Sequence, residues 1–379
     1  PGLWLPWLGV SIPQQIKPIP RYEELAFTAD QPGAIAPQWA DDFRITTISL
    51  ADEDPDGETP PVFTLIRYLP GKSPSEVTQP DTEFFSRPAV FFVHGMTDYF
   101  FHGHIAEHLH GLGFAVYGVD LRKCGRSWRS GQTWHHVTSQ ELYAQELSTT
   151  LDLLSQVHPT VIASGHSTGG LDVATWAARL HARATGTTPD PEAQRLHASL
   201  GGVLLNSPWL GLQFDRPTRL AISRISPVLA KRFPALPLPG GINPVYGKTL
   251  HVSESGRWDY SLELKPLQPR PKYFSWIAGV AEQIESIHHN PGDVGVPTLM
   301  LCSHTHDFSG KMTPTSWQAD LILKPEQMRR WIGNIAPGAR VETIKGAMHD
   351  VFLSEPDALH EALTVTGRWL QSVTSNTRD

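Results

Sequence analysis

Val161-Ile-Ala-Ser-Gly165-His-Ser167-Thr-Gly169-Gly170 runs from a short apolar strand pattern straight into a helical one. A serine at such a junction sits on a turn so sharp that its backbone is strained. Its neighbours two before and two after must then lack bulk, which Gly165 and Gly169 satisfy. The pentapeptide alone is a weak signal; its position between strand and helix makes Ser167 a candidate nucleophile. The geometry also puts the Thr168 amide at a helix N-terminus, where N–H groups point outward without intrahelical partners.

Working outward, apolar runs at 44–50, 62–68, 89–93, 114–119, 161–164, 202–205, 296–302 and 341–344 read as strands. The first two form a pair joined by the turn-rich Asp52-Glu-Asp-Pro-Asp-Gly57, and several others are apolar throughout, as expected of strands covered on both faces. Helical patterns fall at 139–157, 168–184, 325–335 and 356–372. Strand–helix alternation of this kind predicts an α/β fold with a mostly parallel sheet flanked by helices. Residues 1–40 are Pro-rich and read as an extended arm. The alternation stops over 208–290, a stretch rich in Pro, Trp and short helical pieces that reads as an insertion. The core is then split into 41–207 and 291–379.

Three further segments bear on the serine. The strand at 89–93 runs into His94-Gly95-Met96, which can aim the Met96 amide at the same point as the Thr168 amide. Two such donors would stabilise an oxyanion. Gly346-Ala-Met-His349-Asp follows a strand and precedes the last helix, so His349 can accept the Ser167 proton. For the acid that orients the histidine, Asp307 follows the strand ending at Cys302, and Asp320 opens a loop feeding a helix at Pro325. One helix and one strand fill the gap from Asp320 to His349, whereas Asp307 leaves loop unexplained. Asp320 is therefore preferred, with 303–319 an excursion that leaves the sheet and returns.

Composition narrows the function classes. The 379 residues include 31 Lys+Arg and 38 Asp+Glu, a net charge of −7, without a basic cluster, which argues against nucleic acid as partner. Hydrophobic residues make up 40%, enough for a sizeable core. Cys124 and Cys302 are far apart and lack zinc-binding spacing, so they read as two buried thiols. No apolar run reaches the ~18 residues of a membrane span. The start, Pro1-Gly-Leu-Trp-Leu-Pro-Trp-Leu-Gly-Val10, is a poor signal peptide that begins without Met, as if trimmed, and its Trp4 and Trp7 can pack on the domain or touch a membrane surface. The expected location is cytoplasmic.

Gly165-His-Ser-Thr-Gly169, the His94-Gly95 loop, Asp120-Leu-Arg-Lys-Cys-Gly-Arg-Ser127 and Gly346-Ala-Met-His349-Asp together resemble the α/β-hydrolase superfamily. The likeness is to its monoacylglycerol lipase and lysophospholipase-like branch, often grouped with serine aminopeptidase-type hydrolases. The chain order Ser, Asp, His is the one that superfamily uses. The resemblance implies carboxylic ester hydrolysis without a cofactor, acting on a small-molecule or lipid ester. It implies Ser167 as nucleophile, His349 as base, Asp320 as acid, Met96 and Thr168 as backbone donors, and 208–290 as a lid. The acid loop is longer than that family's usual one. Trp209, Trp258 and Trp276, with Phe100 and Phe101, are candidates for an apolar substrate wall.

Other readings compete. His104-Ile-Ala-Glu-His108 matches an inverted zinc-protease signature, but no third ligand can be named. An aminopeptidase would need a carboxylate to hold a free amine, and Glu254, Asp259 and Glu263 are available. An acyltransferase would use the same acyl-enzyme, a dehalogenase would need Asp where Ser167 stands, and a binding protein on this fold would have lost a triad member.

Overall fold

The computed structural model describes residues 17–71, 80–238 and 243–375. Trp4 and Trp7 lie outside them. Among the described residues, nine strands form one sheet: β1 (Thr28–Ala29), β2 (Phe43–Ser49), β3 (Val62–Tyr68), β4 (Ala89–Val93), β5 (Ala115–Asp120), β6 (Val161–His166), β7 (Leu200–Asn206), β8 (Thr298–Ser303) and β9 (Arg340–Ile344). Their spatial order is β1-β2-β3-β5-β4-β6-β7-β8-β9. The first three strands run antiparallel to their neighbours, and β5 through β9 are parallel. Every residue of β4, β5, β6 and β8 is buried, which is why those strands read as apolar runs without alternation.

The described chain also has ten α-helices: α1 (Thr82–Ser86), α2 (Gly103–Gly111), α3 (Tyr143–Ser155), α4 (Thr168–Thr185), α5 (Pro191–Ser199), α6 (Arg216–Arg232), α7 (Val245–Leu250), α8 (Phe274–His289), α9 (Pro325–Trp331) and α10 (Pro356–Ser375). Two apolar layers result, one on each face of the sheet. Leu147, Leu151, Val173, Ala177 and Ile284 pack on one face, and Phe100, Ile105, Leu109, Phe352 and Leu370 on the other.

The stretch between β7 and β8 differs from its expected short pieces: α6 has 17 residues and α8 has 16. The signal for α6 was weak because Leu220, Ile225 and Val228 face outward and Pro227 lies inside the helix. Asp215 starts it by accepting the Thr218 amide at 2.9 Å. Residues 17–40 include the strand β1 and bury Tyr22 and Phe27, and the Tyr22 and Tyr117 hydroxyls share a 2.8 Å hydrogen bond. None of the described helices is long and apolar enough to cross a membrane.

The segment Asp120–Ser127 fastens this frame through buried charges. Arg122 pairs with Glu146 of α3 at 2.7 Å, and Arg126 pairs with Asp120 at 2.8 Å and Asp30 at 2.7 Å. Lys123, wholly buried, meets Asp54, Asp56 and Glu58 at 2.6, 2.8 and 2.9 Å, closing the loop between β2 and β3. Asp120 also accepts the Phe100 amide at 2.8 Å, so the loop that follows β4 is held by the end of β5.

Burial opposes charge on Asp56 and Glu58, but the bonds from Lys123, with those from Thr138 and Thr133, hold both carboxyls below their ordinary values. Lys123→Met removes one cation from among three carboxylates, and an expected loss of about 3–5 kcal/mol follows, read as a lower urea midpoint. Groups with depressed folded values contribute fully above their unfolded values, about 4, and less as pH falls through the folded ones. The wild-type protein should therefore lose stability steeply between pH 5 and 3, and the variant should show a flatter acid limb.

Candidate active site

Ser167 stands between β6 and α4 with φ 56° and ψ −117°, a conformation that costs a residue with a side chain on the order of 1–3 kcal/mol. Its surroundings leave no room for relaxation. A Cβ on Gly165 would lie 2.4 Å from the Gly169 carbonyl oxygen, and one on Gly169 would lie 2.2 Å from that of His94. The Ser167 amide donates to the Asn206 carbonyl at 3.0 Å, and its own carbonyl accepts the Trp209 amide at 3.0 Å. The turn is tied to the end of β7 on both sides.

The Ser167 hydroxyl reaches His349 Nε2 at 2.9 Å, and His349 Nδ1 donates to Asp320 Oδ2 at 2.8 Å. The other carboxylate oxygen, Oδ1, accepts the amides of Ile322 and Leu323, both at 2.8 Å. The three side chains lie in sequence-distant loops at the carboxyl edge of the sheet and are almost dry: Ser167 is 7% exposed, His349 3% and Asp320 0%. Such a relay can pass the hydroxyl proton to an imidazole while a buried carboxylate balances the charge that forms.

The alternative acid, Asp307, is not brought to the histidine. Its carboxylate accepts the Ser309 amide at 2.8 Å and the Thr315 hydroxyl at 3.1 Å, bonds that keep it below the ordinary carboxylate range. The chain between β8 and Asp320 returns through a bridge from His306 to Asp320, sealed by the Asp320 amide on the Thr305 carbonyl at 3.0 Å.

Met96 follows β4 and Thr168 opens α4, and among the described residues neither amide has a protein acceptor. A Cβ on Gly95 would sit 3.1 Å from both His166 Cδ2 and Ser167 Cβ, so the loop after β4 comes close to the serine. These are two free N–H donors on the segments that flank the hydroxyl.

Asn206 escaped the sequence reading. Its carbonyl takes the Ser167 amide and His166 Nδ1 (3.1 Å), its Nδ2 donates to Asp350 at 2.7 Å, and its Oδ1 accepts the Val351 amide at 3.1 Å. One residue therefore locks the serine turn, through its backbone carbonyl, to the histidine loop, through its side chain. Asp350 also accepts from His102 Nε2 at 3.0 Å. Burial opposes its charge, but His166, His102 and the Asn206 bond hold it well below the usual carboxylate range. The sequence offered only a hint, a polar residue ending a buried apolar strand.

The space above Ser167 is closed by the insertion. Tyr246, Leu250, Tyr260 and Leu267 line it together with Ile322 and His349. Lys265 reaches down to Asp98 at 2.6 Å, a buried pair joining the insertion to the loop after β4. The aromatic residues expected as a wall lie elsewhere. Phe100 stacks on Phe92 in the core, Trp258 stacks on His104 at 4.2 Å, and Trp209 lies 5.7 Å from Trp276. Tyrosines and aliphatic side chains form the wall, while Trp276 on α8, Trp209 and Trp258 pack away from the serine. Glu254, Asp259 and Glu263 are exposed and do not line the space.

His104 and Glu107 have partners of their own. His104 donates to the Phe352 carbonyl at 2.8 Å and burial pulls it down to about 3, while Glu107 accepts from the Trp39 indole at 3.0 Å. No group of three or more His, Cys, Asp or Glu among the described residues is placed to hold a metal ion. Cys124 and Cys302 are free and buried.

Comparison with solved structures finds the same architecture widely. A monoacylglycerol lipase from Paleococcus ferrophilus is 23% identical, with a TM-score of 0.56 over 76% of this chain and 97% of its own. A soluble variant of monoglyceride lipase from Saccharomyces cerevisiae, bound to a substrate analogue, is 16% identical, with a TM-score of 0.56 over 85% and 93%. DcsB, in complex with its substrate analogue, is 15% identical, with a TM-score of 0.52 over 89% and 100%. At these identities the likeness is one of fold. No curated protein matches in sequence. A family model described as the alpha/beta hydrolase family matches residues 90–362, which is most of the chain and includes the serine turn, the Asp320 loop and the His349 loop. The chain belongs to the alpha/beta hydrolase family.

Proposed function

We propose that the protein is a serine hydrolase of carboxylic esters working through an acyl-enzyme on Ser167. The observation that carries this reading is the buried relay Ser167–His349–Asp320, with both of its hydrogen bonds under 3 Å. His349 Nε2 takes the hydroxyl proton as Oγ attacks the ester carbonyl. The carbonyl oxygen becomes an oxyanion between the Met96 and Thr168 amides, two donors each worth about 2.7–4 kcal/mol of barrier in such sites. His349 returns the proton to the departing alcohol, breaking the C–O bond and leaving an acyl-Ser167. Water, activated by the same imidazole, then releases the acid. Asp320 holds the imidazole in the tautomer with the proton on Nδ1 and stabilises its charged form.

Residues 208–290 act in this reading as a cap whose Tyr246, Tyr260 and Lys265 close the substrate space. An ester is favoured over a free-amine peptide by the charge lining that space. Its carboxylate, Asp98, is already paired with Lys265, and the cap carboxylates Glu254, Asp259 and Glu263 face solvent, so no unpaired carboxylate meets an amine there.

Ser167→Ala should abolish turnover of p-nitrophenyl esters and labelling by a fluorophosphonate probe. Labelling that survives the substitution, seen by intact-mass spectrometry, would remove the nucleophile assignment. Asp320→Asn leaves the loop geometry but favours the wrong imidazole tautomer, and kcat should drop by about 10⁴-fold. Asp307→Asn should stay within about twofold of wild type. The reverse pattern in steady-state kinetics would give the acid role to Asp307.

A further inference from the structure

His349 is carried by a loop with neither strand nor helix between β9 and the short turn Val351–Leu353. The first half of that loop is tied to β8 and to itself. The Ala347 carbonyl accepts the Ser303 hydroxyl at 2.7 Å, and the Met348 amide donates to the Ser354 hydroxyl at 2.9 Å. Neither bond reaches the serine turn or the loop after β4. Those connections start at the residue after the base, Asp350.

Asp350 is 1% exposed, and both of its carboxylate oxygens are taken. Oδ1 accepts from Asn206 Nδ2 at 2.7 Å and from the Phe352 amide at 3.0 Å, and Oδ2 accepts from His102 Nε2 at 3.0 Å. Ionised as it is, the group only accepts, so His102 carries the proton on Nε2. Each donor belongs to a different part of the site. Asn206 ends β7 and holds the Ser167 amide on its backbone carbonyl. His102 closes the loop that begins at His94 and carries Met96, and it directly precedes α2. The Phe352 amide lies in the turn that follows His349. His104 fastens the start of α2 to that turn a second time, donating to the Phe352 carbonyl at 2.8 Å.

The loops that bring the nucleophile, an oxyanion donor and the base therefore meet on one dry anion. An apolar side chain at 350 would leave all three donors unmet, and the loops would have to part to let water in. A displacement of about 1 Å in a catalytic array is enough to cost about 10²-fold in rate. We infer that Asp350 is the positioning residue of the base: it sets the distance of His349 from Ser167 and holds the Met96 loop beside them, without touching the reacting atoms. The inference rests on the hydrolase reading for the roles of Ser167, His349 and Met96. Asp320 governs the imidazole proton; Asp350 governs the backbone that carries the imidazole.

A positioning role separates two substitutions. In Asp350→Asn the amide oxygen keeps the Asn206 and Phe352 donors, and the amide nitrogen can face His102 once that imidazole takes the tautomer with a bare Nε2. In Asp350→Ala no acceptor remains. The rate of fluorophosphonate labelling reads the activation of Ser167 whether or not an ester is cleaved, and intact mass gives its final extent. Asp350→Ala should label to completion about 100-fold more slowly than wild type, and kcat on p-nitrophenyl acetate should fall as far with KM within about threefold. Asp350→Asn should recover at least about tenfold of that loss in both measurements. His102→Ala should slow labelling by about three- to tenfold, the range for one hydrogen bond, and should add nothing when combined with Asp350→Ala.

An Asp350→Ala variant that labels as fast as wild type, an Asp350→Asn variant as slow as the alanine one, or a His102→Ala effect that persists without the carboxylate would each overturn the positioning role. Where Asp350→Ala does not fold, His102→Ala and Asp350→Asn decide. Combined, they should be no slower than the slower of the two, and a multiplied loss overturns the role. Labelling slowed in this pattern supports it even if no ester is cleaved, an outcome that would count against the ester reading alone.

Discussion

The close approach of backbone to backbone at the serine turn is the constraint on which the site depends. Gly169 lies so near the His94 carbonyl that a single methyl group would collide with it, and Gly165 is as close to Gly169. Only this packing lets the first turn of α4 sit against the end of β4, and so brings the segments that carry the Thr168 and Met96 amides up to Ser167. The cost appears as left-handed backbone at residues with side chains. Thr97, Ser167 and Ser207 all have φ between 47° and 56°, and all lie on loops leaving the carboxyl edge of the sheet. Strain of this kind persists only where the surroundings over-determine it. Here the determinants include the Ser167 amide's bond to the Asn206 carbonyl and the Ser207 amide's bond to the Leu301 carbonyl.

Asn206 connects that strain to the loop that carries His349. The serine and the histidine come from segments 182 residues apart in the chain, so their distance cannot be set by local geometry. The amide of Asn206 touches the Asp350 carboxylate and the Val351 amide, while its backbone carbonyl takes the Ser167 amide. A buried amide whose oxygen and nitrogen both have partners is held in its orientation, and losing either partner would leave a dry donor or acceptor unmet. Its value is therefore geometric: it sets where the His349 loop can lie relative to the turn.

Much of this was legible in the sequence, for identifiable reasons. Strands buried on both faces are apolar throughout, so β4 to β8 announced themselves. The order in which Ser167, Asp320 and His349 follow particular strands assigns all three to one edge of the sheet. The choice of Asp320 over Asp307 came from the amount of chain left over, and the geometry now places Asp320, not Asp307, against the imidazole. What escaped had no local signature. The helix α6 presents apolar residues to solvent and carries an internal proline, so neither periodicity nor propensity marked it. The tryptophans suggested a substrate wall because large aromatic side chains often line pockets, yet residue type says nothing about which way a loop turns. Asn206 was equally silent, since its role exists only once distant segments meet.

The buried charges divide into two kinds, and the difference bears on what they are for. Lys123, Arg122 and Arg126 are surrounded by carboxylates within 3 Å, so their burial is compensated internally and they serve to hold segments together. Lys265 is likewise matched by Asp98 and joins the insertion to the loop beside the serine. Lys272 differs: it forms no ion pair among the described residues, shares a small space with the Asp172 carboxyl, and is pulled down to about 7 by burial. An amine placed in this way relieves its desolvation cost by giving up its proton near neutrality, whereas the four paired cations keep theirs because carboxylates meet them.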